Sequence, residues 1–270
     1  MTQLILENLP TGKPHISFSE LKEWQECSWR HKLHQVDKID LFETSPILDF
    51  GTAVHASCEN FLRTKEMDLS ISEKTLISAF EKNKDKKEYS QKNLDSFLKE
   101  STKILQEVPG FMEETFPGWE FVDAEHQLYE PFNQKHPHAF KGFIDGIIKT
   151  KGKKGEDIFW IIDWKTSAWG WNTEKKTDFG LHQQLILYKN FWSQKTGNPL
   201  KQIKCGFVIL KRTAKDGQRC ELVKISVGPV TSERSIKNLS SMVSSLKRGI
   251  ALKNKDSCNF CPYKGTEHCI

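Results

Sequence analysis

No stretch of this 270-residue chain approaches the roughly eighteen consecutive apolar residues that a membrane-spanning helix needs. Its first ten residues, Met1 to Pro10, lack the basic start and apolar run of a secretory signal. No segment repeats at a fixed period, so the chain is not an array of small units. Charge of one sign is hardly in excess: 40 Lys and Arg stand against 35 Asp and Glu, a formal net charge of +5. That surplus allows an anionic partner such as nucleic acid without demanding one, because a mildly basic, well-solvated surface has the same composition. The expected location is a reducing cytoplasm, with no membrane partner. Seven cysteines there speak against a disulfide framework and in favour of metal ligation.

What is present suits a folded α/β chain. Apolar residues make up 37% and charged residues 28%, and eight Trp and seventeen Phe can fill a core. Ser17 and Glu20 form a Ser-x-x-Glu capping box that opens a helix to about residue 33. Asp49-Phe50-Gly51-Thr52 reads as a turn into a second helix over 52–64, with Val54, Phe61 and Leu62 on its buried face. Residues 65–118 keep helical spacing (Leu76, Ile77, Phe80, then Leu94, Phe97, Leu98, Ile104) around the charged run 81–88, and read as a helical insertion. From Trp119 the period becomes two, with strands expected at 120–128, 140–149, 158–166, 203–212 and 221–227 and an apolar helix at 181–195. A last helix over 232–253 precedes a Cys-rich tail. The chain thus divides into N-terminal helices (17–64), the insertion (65–118), a sheet core (119–230) and a C-terminal helix with a Cys cluster (231–270). The implied architecture is one mixed β-sheet flanked by helices.

The most informative segment is Phe159-Trp160-Ile161-Ile162-Asp163-Trp164-Lys165-Thr166. So apolar a run wants to be a buried strand, yet it ends in a carboxylate and an ammonium. Strand side chains alternate, so Asp163 and Lys165 project from one face. The Gly- and Lys-rich turn before it makes a hairpin with the preceding strand, and symmetry about residue 154 sets Asp145 opposite Asp163. Two carboxylates about 5 Å apart repel unless a cation sits between them, and Mg²⁺ or Mn²⁺ suits such an oxygen-rich site. A bare Asp-x-Lys is commonly a surface ion pair. Asp145 in register, with Gly142 three residues before it, moves the reading towards metal binding.

Other residues carry weaker signals. His55 lies on the helix after Gly51, where a structural role competes with metal ligation. Gln184 and Tyr188, four apart on an apolar helix, share a face and are either a polar stripe or part of a site. Lys211, Arg212, Lys215 and Arg219 surround a hairpin turn, and the 81–104 helices carry many Lys; these could wall a basic channel. Trp169 and Trp171, in the loop-like stretch 167–178, could stack on unpaired bases or pack in the core. Cys258-x-x-Cys261 and Cys269 offer three thiolates in twelve residues. Cys58, Cys205 and Cys220 each stand alone inside an element.

In order, Gly51-x-x-x-His55, Gly142-x-x-Asp145, Asp163-x-Lys165 and Gln184-x-x-x-Tyr188 resemble the motifs of the PD-(D/E)XK nuclease superfamily, in its RecB-like branch. The resemblance extends to RecB and AddB nuclease domains, four-cysteine CRISPR-associated nucleases and phage-type exonucleases. Asp163 replaces the commoner Glu, and Ile144 stands where the superfamily name has Pro. The resemblance implies a restriction-endonuclease-like fold. His55, Asp145 and Asp163 would be ligands for one or two Mg²⁺ or Mn²⁺ ions, helped by the Trp164 carbonyl. Lys165 would act on the attacking water and phosphate, while Gln184 and Tyr188 shape the site; Glu125 is an accessory acid or a structural residue. By the same resemblance Cys27 joins Cys258, Cys261 and Cys269 around a [4Fe–4S] cluster. Zn²⁺ on Cys₄, or on Cys₃ with His268, is the alternative, and plain thiols the third.

The implied function is metal-dependent exonuclease action on DNA, at single-stranded ends, in recombination or repair. A recombinase or single-strand-binding protein is a candidate partner, and a host cytoplasm the location if a phage encodes it. Two other classes compete: a structure-selective or CRISPR-adaptation-type endonuclease, and a DNA-binding recombination partner without turnover.

Overall fold

The computed structural model describes residues 6–132 and 137–270; the first five residues of the expected lead-in lie outside them. The lead-in is not loose throughout. It ends in a three-residue strand, β1 (His15–Ser17), that pairs in parallel with residues 139–141. Ser17 then caps α1 (Phe18–Glu26), its hydroxyl accepting the Glu20 N–H at 3.2 Å. The helix expected to continue to residue 33 instead breaks at Cys27, whose backbone is extended, before α2 (Ser28–His31) and a π-turn to Val36. The break has a distant cause: the Glu26 carbonyl is taken by Asn254 Nδ2 and Ser257 Oγ, at 2.8 and 2.7 Å.

The second helix, α3 (Pro46–Thr64), starts earlier than expected, because Ser45 caps it and Pro46 supplies its first turn. Asp49 to Thr52 is therefore helix and not turn. Gly51 serves contact instead: a Cβ there would stand 3.4 Å from Thr166 Oγ1, so α3 runs close to the end of the Asp163 strand. The insertion forms α4 (Leu69–Lys82) and α5 (Gln91–Thr115).

The five expected strands appear as β2 (Glu120–Pro131), β3 (Ala139–Lys151), β4 (Asp157–Ser167), β5 (Ile203–Lys211) and β6 (Cys220–Ile225). Between β4 and β5 lie the short α6 (Thr173–Thr177) and the apolar α7 (Phe179–Thr196). The closing helix, α8 (Pro229–Lys247), stops short of residue 253 because Gly249 adopts a left-handed φ of 67° and turns the chain back towards α2.

The sheet runs β1-β3-β4-β5-β6, and β2 pairs with β3. β3 and β4 form the expected antiparallel hairpin, from Lys151↔Asp157 to Gly146↔Ile162. β4 and β5 are parallel, with α7 in the crossover between them. Because β2 covers one edge of β3 almost throughout, β1 and β4 must share the other. β1 takes 139–141 and β4 takes 146–151, which leaves 142–145 unpaired between them. This gap positions the site.

Two apolar layers cover the sheet. Ile161, Leu185, Phe191 and Leu239 belong to the layer under α1, α7 and α8. Val54, Leu105, Ile162 and Trp164 belong to the layer under α3, α4 and α5. The insertion is bonded to the β5–β6 turn: Glu107 accepts the N–H groups of Gly217 and Arg219 at 2.8 and 2.9 Å and faces the buried Arg219 guanidinium at 3.5 Å. Glu107→Ala would take from that cation one of its two carboxylates, leaving Asp216 at 3.0 Å, and strip two backbone N–H groups of their acceptor. We expect a loss of about 3 kcal/mol in urea unfolding, whereas Glu114→Ala, on the exposed side of α5, should stay within about 0.5 kcal/mol of wild type.

Candidate active site

On β4, Trp160, Ile162 and Trp164 point into the layer under α3, so Asp163 and Lys165 point to the opposite face with Ile161. Asp163 is buried, and neither carboxylate oxygen accepts a well-formed hydrogen bond. Its partner is the Lys165 ammonium, 2.6 Å from Oδ2. Burial works against that ammonium, but Asp163 and then Asp145 outweigh it and raise its pKa.

The β3–β4 register, extended by one residue, sets Asp145 opposite Asp163, but the ladder ends before that pair. Asp145 replaces the missing backbone bond with its side chain: Oδ2 accepts the Trp164 N–H at 2.8 Å. The alternation of β3 slips at this point, since Ile144 and Ile147, three apart, lie in the same layer. Burial first, then the charge of Asp163, pushes the Asp145 carboxyl well above the usual range, against the opposing Lys165 and Trp164 N–H.

His55 approaches from α3, its Nδ1 3.5 Å from Asp145 Oδ2. Burial lowers its pKa, opposed by Asp163 and by the Trp164 backbone, so the imidazole stays in the neutral form that ligates metals. Glu125 comes from the other side, at the β2 position facing Asp145 between Ala124↔Gly146 and His126↔Ile144. Its φ of 50° is left-handed, which costs a non-glycine residue about 1–2 kcal/mol. Burial and the neighbouring Glu59 raise its acid, with Arg63 opposing and Asp163 adding to the rise.

The fourth motif closes one wall. Gln184 Nε2 donates to the Tyr188 hydroxyl at 3.2 Å. Tyr188 reaches the strand because residue 142 is glycine: a Cβ there would lie 2.6 Å from Tyr188 Cε1. Burial and Asp163 raise the phenol pKa.

Among the described residues, no three His, Cys, Asp or Glu side chains stand close enough together to hold an ion as placed. The donors still fit a hard divalent cation chemically. A buried carboxylate whose oxygens accept no well-formed hydrogen bond, a second carboxyl pushed well above the usual range, and an imidazole held below its own all lack what a cation would give them.

The four expected cysteines share a pocket without closing on one point. Cys27, Cys258, Cys261 and Cys269 line one pocket of about 470 Å³, and the Asn254 N–H points at Cys27 Sγ, 3.4 Å away. His268 does not line it; its carbonyl accepts from Trp29 Nε1 at 3.1 Å. Cys58 and Cys205 are buried, and burial pushes the Cys205 thiol up to about 12.

The expected DNA-contact residues divide. Trp169 is 82% exposed, just past Lys165. Trp171 is buried with its ring 5.1 Å from that of Phe207. Lys211 pairs with Glu221 at 3.4 Å, and Arg212 pairs with Glu100 at 3.3 Å while lying over the Phe50 and Phe97 rings. These three side chains are committed within the fold, so Trp169 alone of the four is presented to a ligand. Lys13, His15 and Ser17 also stand near the site; Ser17 reads in the sequence only as a helix cap, and Lys13 and His15 give no signal because a three-residue strand and its lead-in show no period.

A family model described as the PD-(D/E)XK nuclease superfamily matches residues 15–266. A solved Eubacterium rectale protein named “Putative exonuclease” is similar with a TM-score of 0.57 and 15% identity, covering 93% of this chain and 88% of its own. At that identity the likeness concerns the fold. No curated protein matches.

The raised Asp145 carboxyl predicts a pH signature. Its contribution to stability is full below the ordinary carboxylate value of 3.8 and is lost as pH rises through the elevated native value. Asp145→Asn keeps an oxygen for the Trp164 N–H and cannot ionise. In EDTA at pH 7.5 it should therefore melt about 2–4 °C above wild type, with the two curves converging near pH 4. A variant that melts lower at both pH values would show that the carboxyl is not strained by charge.

Proposed function

This chain belongs to the PD-(D/E)XK nuclease superfamily, and from that premise we propose that it is a Mg²⁺- or Mn²⁺-dependent deoxyribonuclease that degrades DNA from single-stranded ends. The observation that carries the reading is Asp163: a carboxylate in the core, beside a second carboxyl, with one ammonium as its only close counter-charge among the described residues. Asp145, Asp163 and His55, with the Trp164 carbonyl, hold one or two cations. A cation bound there supplies Lewis acidity, acidifying a water and offsetting the charge that grows on the phosphate. Lys165 orients the attacking water and stabilises the phosphate oxygens. Gln184 and Tyr188 form the wall against which the strand lies. The exposed Trp169 offers an unpaired base a stacking surface.

Cys27, Cys258, Cys261 and Cys269 hold a [4Fe–4S] cluster in this reading, with Zn²⁺ as the competing occupant. It is supported by the four thiols lining a single pocket and by the Asn254 N–H directed at one sulfur. The cluster would staple the C-terminal tail onto α1 and α2, away from the reacting carboxylates. The resemblance to RecB-like exonucleases suggests work in recombination or repair.

Two measurements test this. With Mg²⁺ or Mn²⁺, wild type should shorten end-labelled linear single-stranded DNA, and Asp163→Ala and Lys165→Ala should each lose at least about a hundredfold in rate. Circular single strands should survive; their cleavage would turn the reading towards an endonuclease. Protein purified without oxygen should be brown, carry iron and lose it in Cys258→Ser with a lower melting temperature. A colourless protein with one zinc would refute the cluster.

A further inference from the structure

Beside the proposed reacting centre lies a pocket of about 590 Å³ whose walls include Lys13, His15, Ser17, Ser19, Lys141 and Tyr188. No carboxylate lines it among the described residues. The adjoining cavity differs, taking in Glu20, Glu23 and Glu26. The two pockets share Lys13, Ser17, Ser19 and Gln184 as a common wall, with His15, Lys141 and Tyr188 on the cationic side alone, so the cationic pocket opens directly off the site wall. Most other lysines around the sheet are paired: Lys165, Lys176, Lys149 and Lys211 each face a carboxylate. Lys13 and Lys141 are not. Lys13 Nζ donates to the neutral Gln35 Oε1 at 3.0 Å, and Lys141 Nζ lies 5.7 Å from the Phe143 ring centre.

Other polar residues stand along the same wall. His15 Nδ1 is buried with no hydrogen-bond partner. Burial lowers the His15 pKa, Lys141 and Lys13 lower it further, and Glu20 alone opposes, so both ammonium groups act on this ring. The Ser17 and Ser19 hydroxyls are 2.9 Å apart at the first turn of α1. The short β1 makes this assembly, since Ser17↔Lys141 and His15↔Ala139 bring two distant segments together. Two ammonium groups without a carboxylate partner and two hydroxyls line this side, with Glu20, Glu23 and Glu26 only in the adjoining cavity, and such a set suits a doubly or singly charged tetrahedral oxyanion.

We propose that this pocket is a phosphate subsite that grips a phosphate of the substrate strand other than the one being cleaved. The proposal rests on the nuclease reading, because the nucleic-acid strand brings the phosphate. Lys13 and Lys141 supply the counter-charge, Ser17 and Ser19 donate hydroxyl protons, and His15 fixes the depth of entry. The phosphate comes either from the strand terminus or from the backbone next to the scissile bond.

Fluorescence anisotropy in EDTA, where no strand is cut, tests this with three probes: a 5′-phosphorylated oligonucleotide, its 5′-hydroxyl counterpart and a circular single strand. The double variant Lys13→Gln/Lys141→Gln should bind about tenfold more weakly than wild type, and the slope of log affinity against log salt should fall by about 0.7 for each lost contact. Lys153→Gln/Lys154→Gln, in the distant β3–β4 turn, should bind as wild type does. Lys13→Arg/Lys141→Arg should restore binding, and equal melting temperatures would show that the fold is intact. Loss confined to the 5′-phosphorylated probe assigns the pocket to a strand terminus; equal loss on all three assigns it to the backbone. Wild-type affinity and salt slope in the double variant on every probe would overturn the subsite and leave the nuclease reading standing. A wild type that binds none of the probes would overturn the nuclease reading, and the subsite with it.

Discussion

An aspartate buried at the end of an apolar strand, against a second carboxyl and beside one lysine, is the constraint on which the rest of the structure depends. Ionised groups removed from water are costly unless paired and hydrogen-bonded. Here Asp163 has an ion-pair partner but no well-formed hydrogen bond, and burial with the charge of Asp163 pushes the Asp145 carboxyl well above the usual range. Natural cores remove such costs by mutation unless function retains them. The chain retains this one and builds three neighbouring elements around it: α3 delivers His55, α7 delivers Gln184 and Tyr188, and β2 delivers Glu125 through a strained backbone.

The sheet explains how residues from both layers meet at one point. A fully paired central strand would separate α3 from α7 by an unbroken ladder. Because β1 and β4 share one edge of β3 and leave 142–145 between them, Asp145 can turn its side chain along the sheet and bond the Trp164 N–H. Two glycines keep the walls close: Gly142 admits the Tyr188 ring, and Gly51 brings α3 to Thr166. The gap, rather than any loop, sets the geometry. The same three-residue strand that bounds it also carries the cationic pocket's residues to their places.

How much of this was legible before the fold was seen depended on the range of the forces involved. The hairpin was legible because register is set locally by its turn, and symmetry about residue 154 matches the observed pairing. Asp163 and Lys165 on one face followed from alternation. The helix break at Cys27 was not legible, since it answers to Asn254 and Ser257, more than two hundred residues away. Gly51 read as a turn residue because composition cannot distinguish a glycine that bends the chain from one that admits a neighbour. Trp171, Lys211 and Arg212 had the right chemistry for DNA, but Phe207, Glu221 and Glu100 claim them in three dimensions.

The central claim is that the buried carboxylate pair is a cation site whose acid keeps a proton while no cation is bound. Calorimetric titration of Mn²⁺ into the protein at pH 7, repeated in buffers of different ionisation enthalpy, measures that proton directly. The account predicts binding with release of about one proton per ion in wild type, tighter binding as pH rises, and no proton release in Asp145→Asn. Absence of Mn²⁺ binding, or binding with equal proton release in wild type and Asp145→Asn, would contradict it.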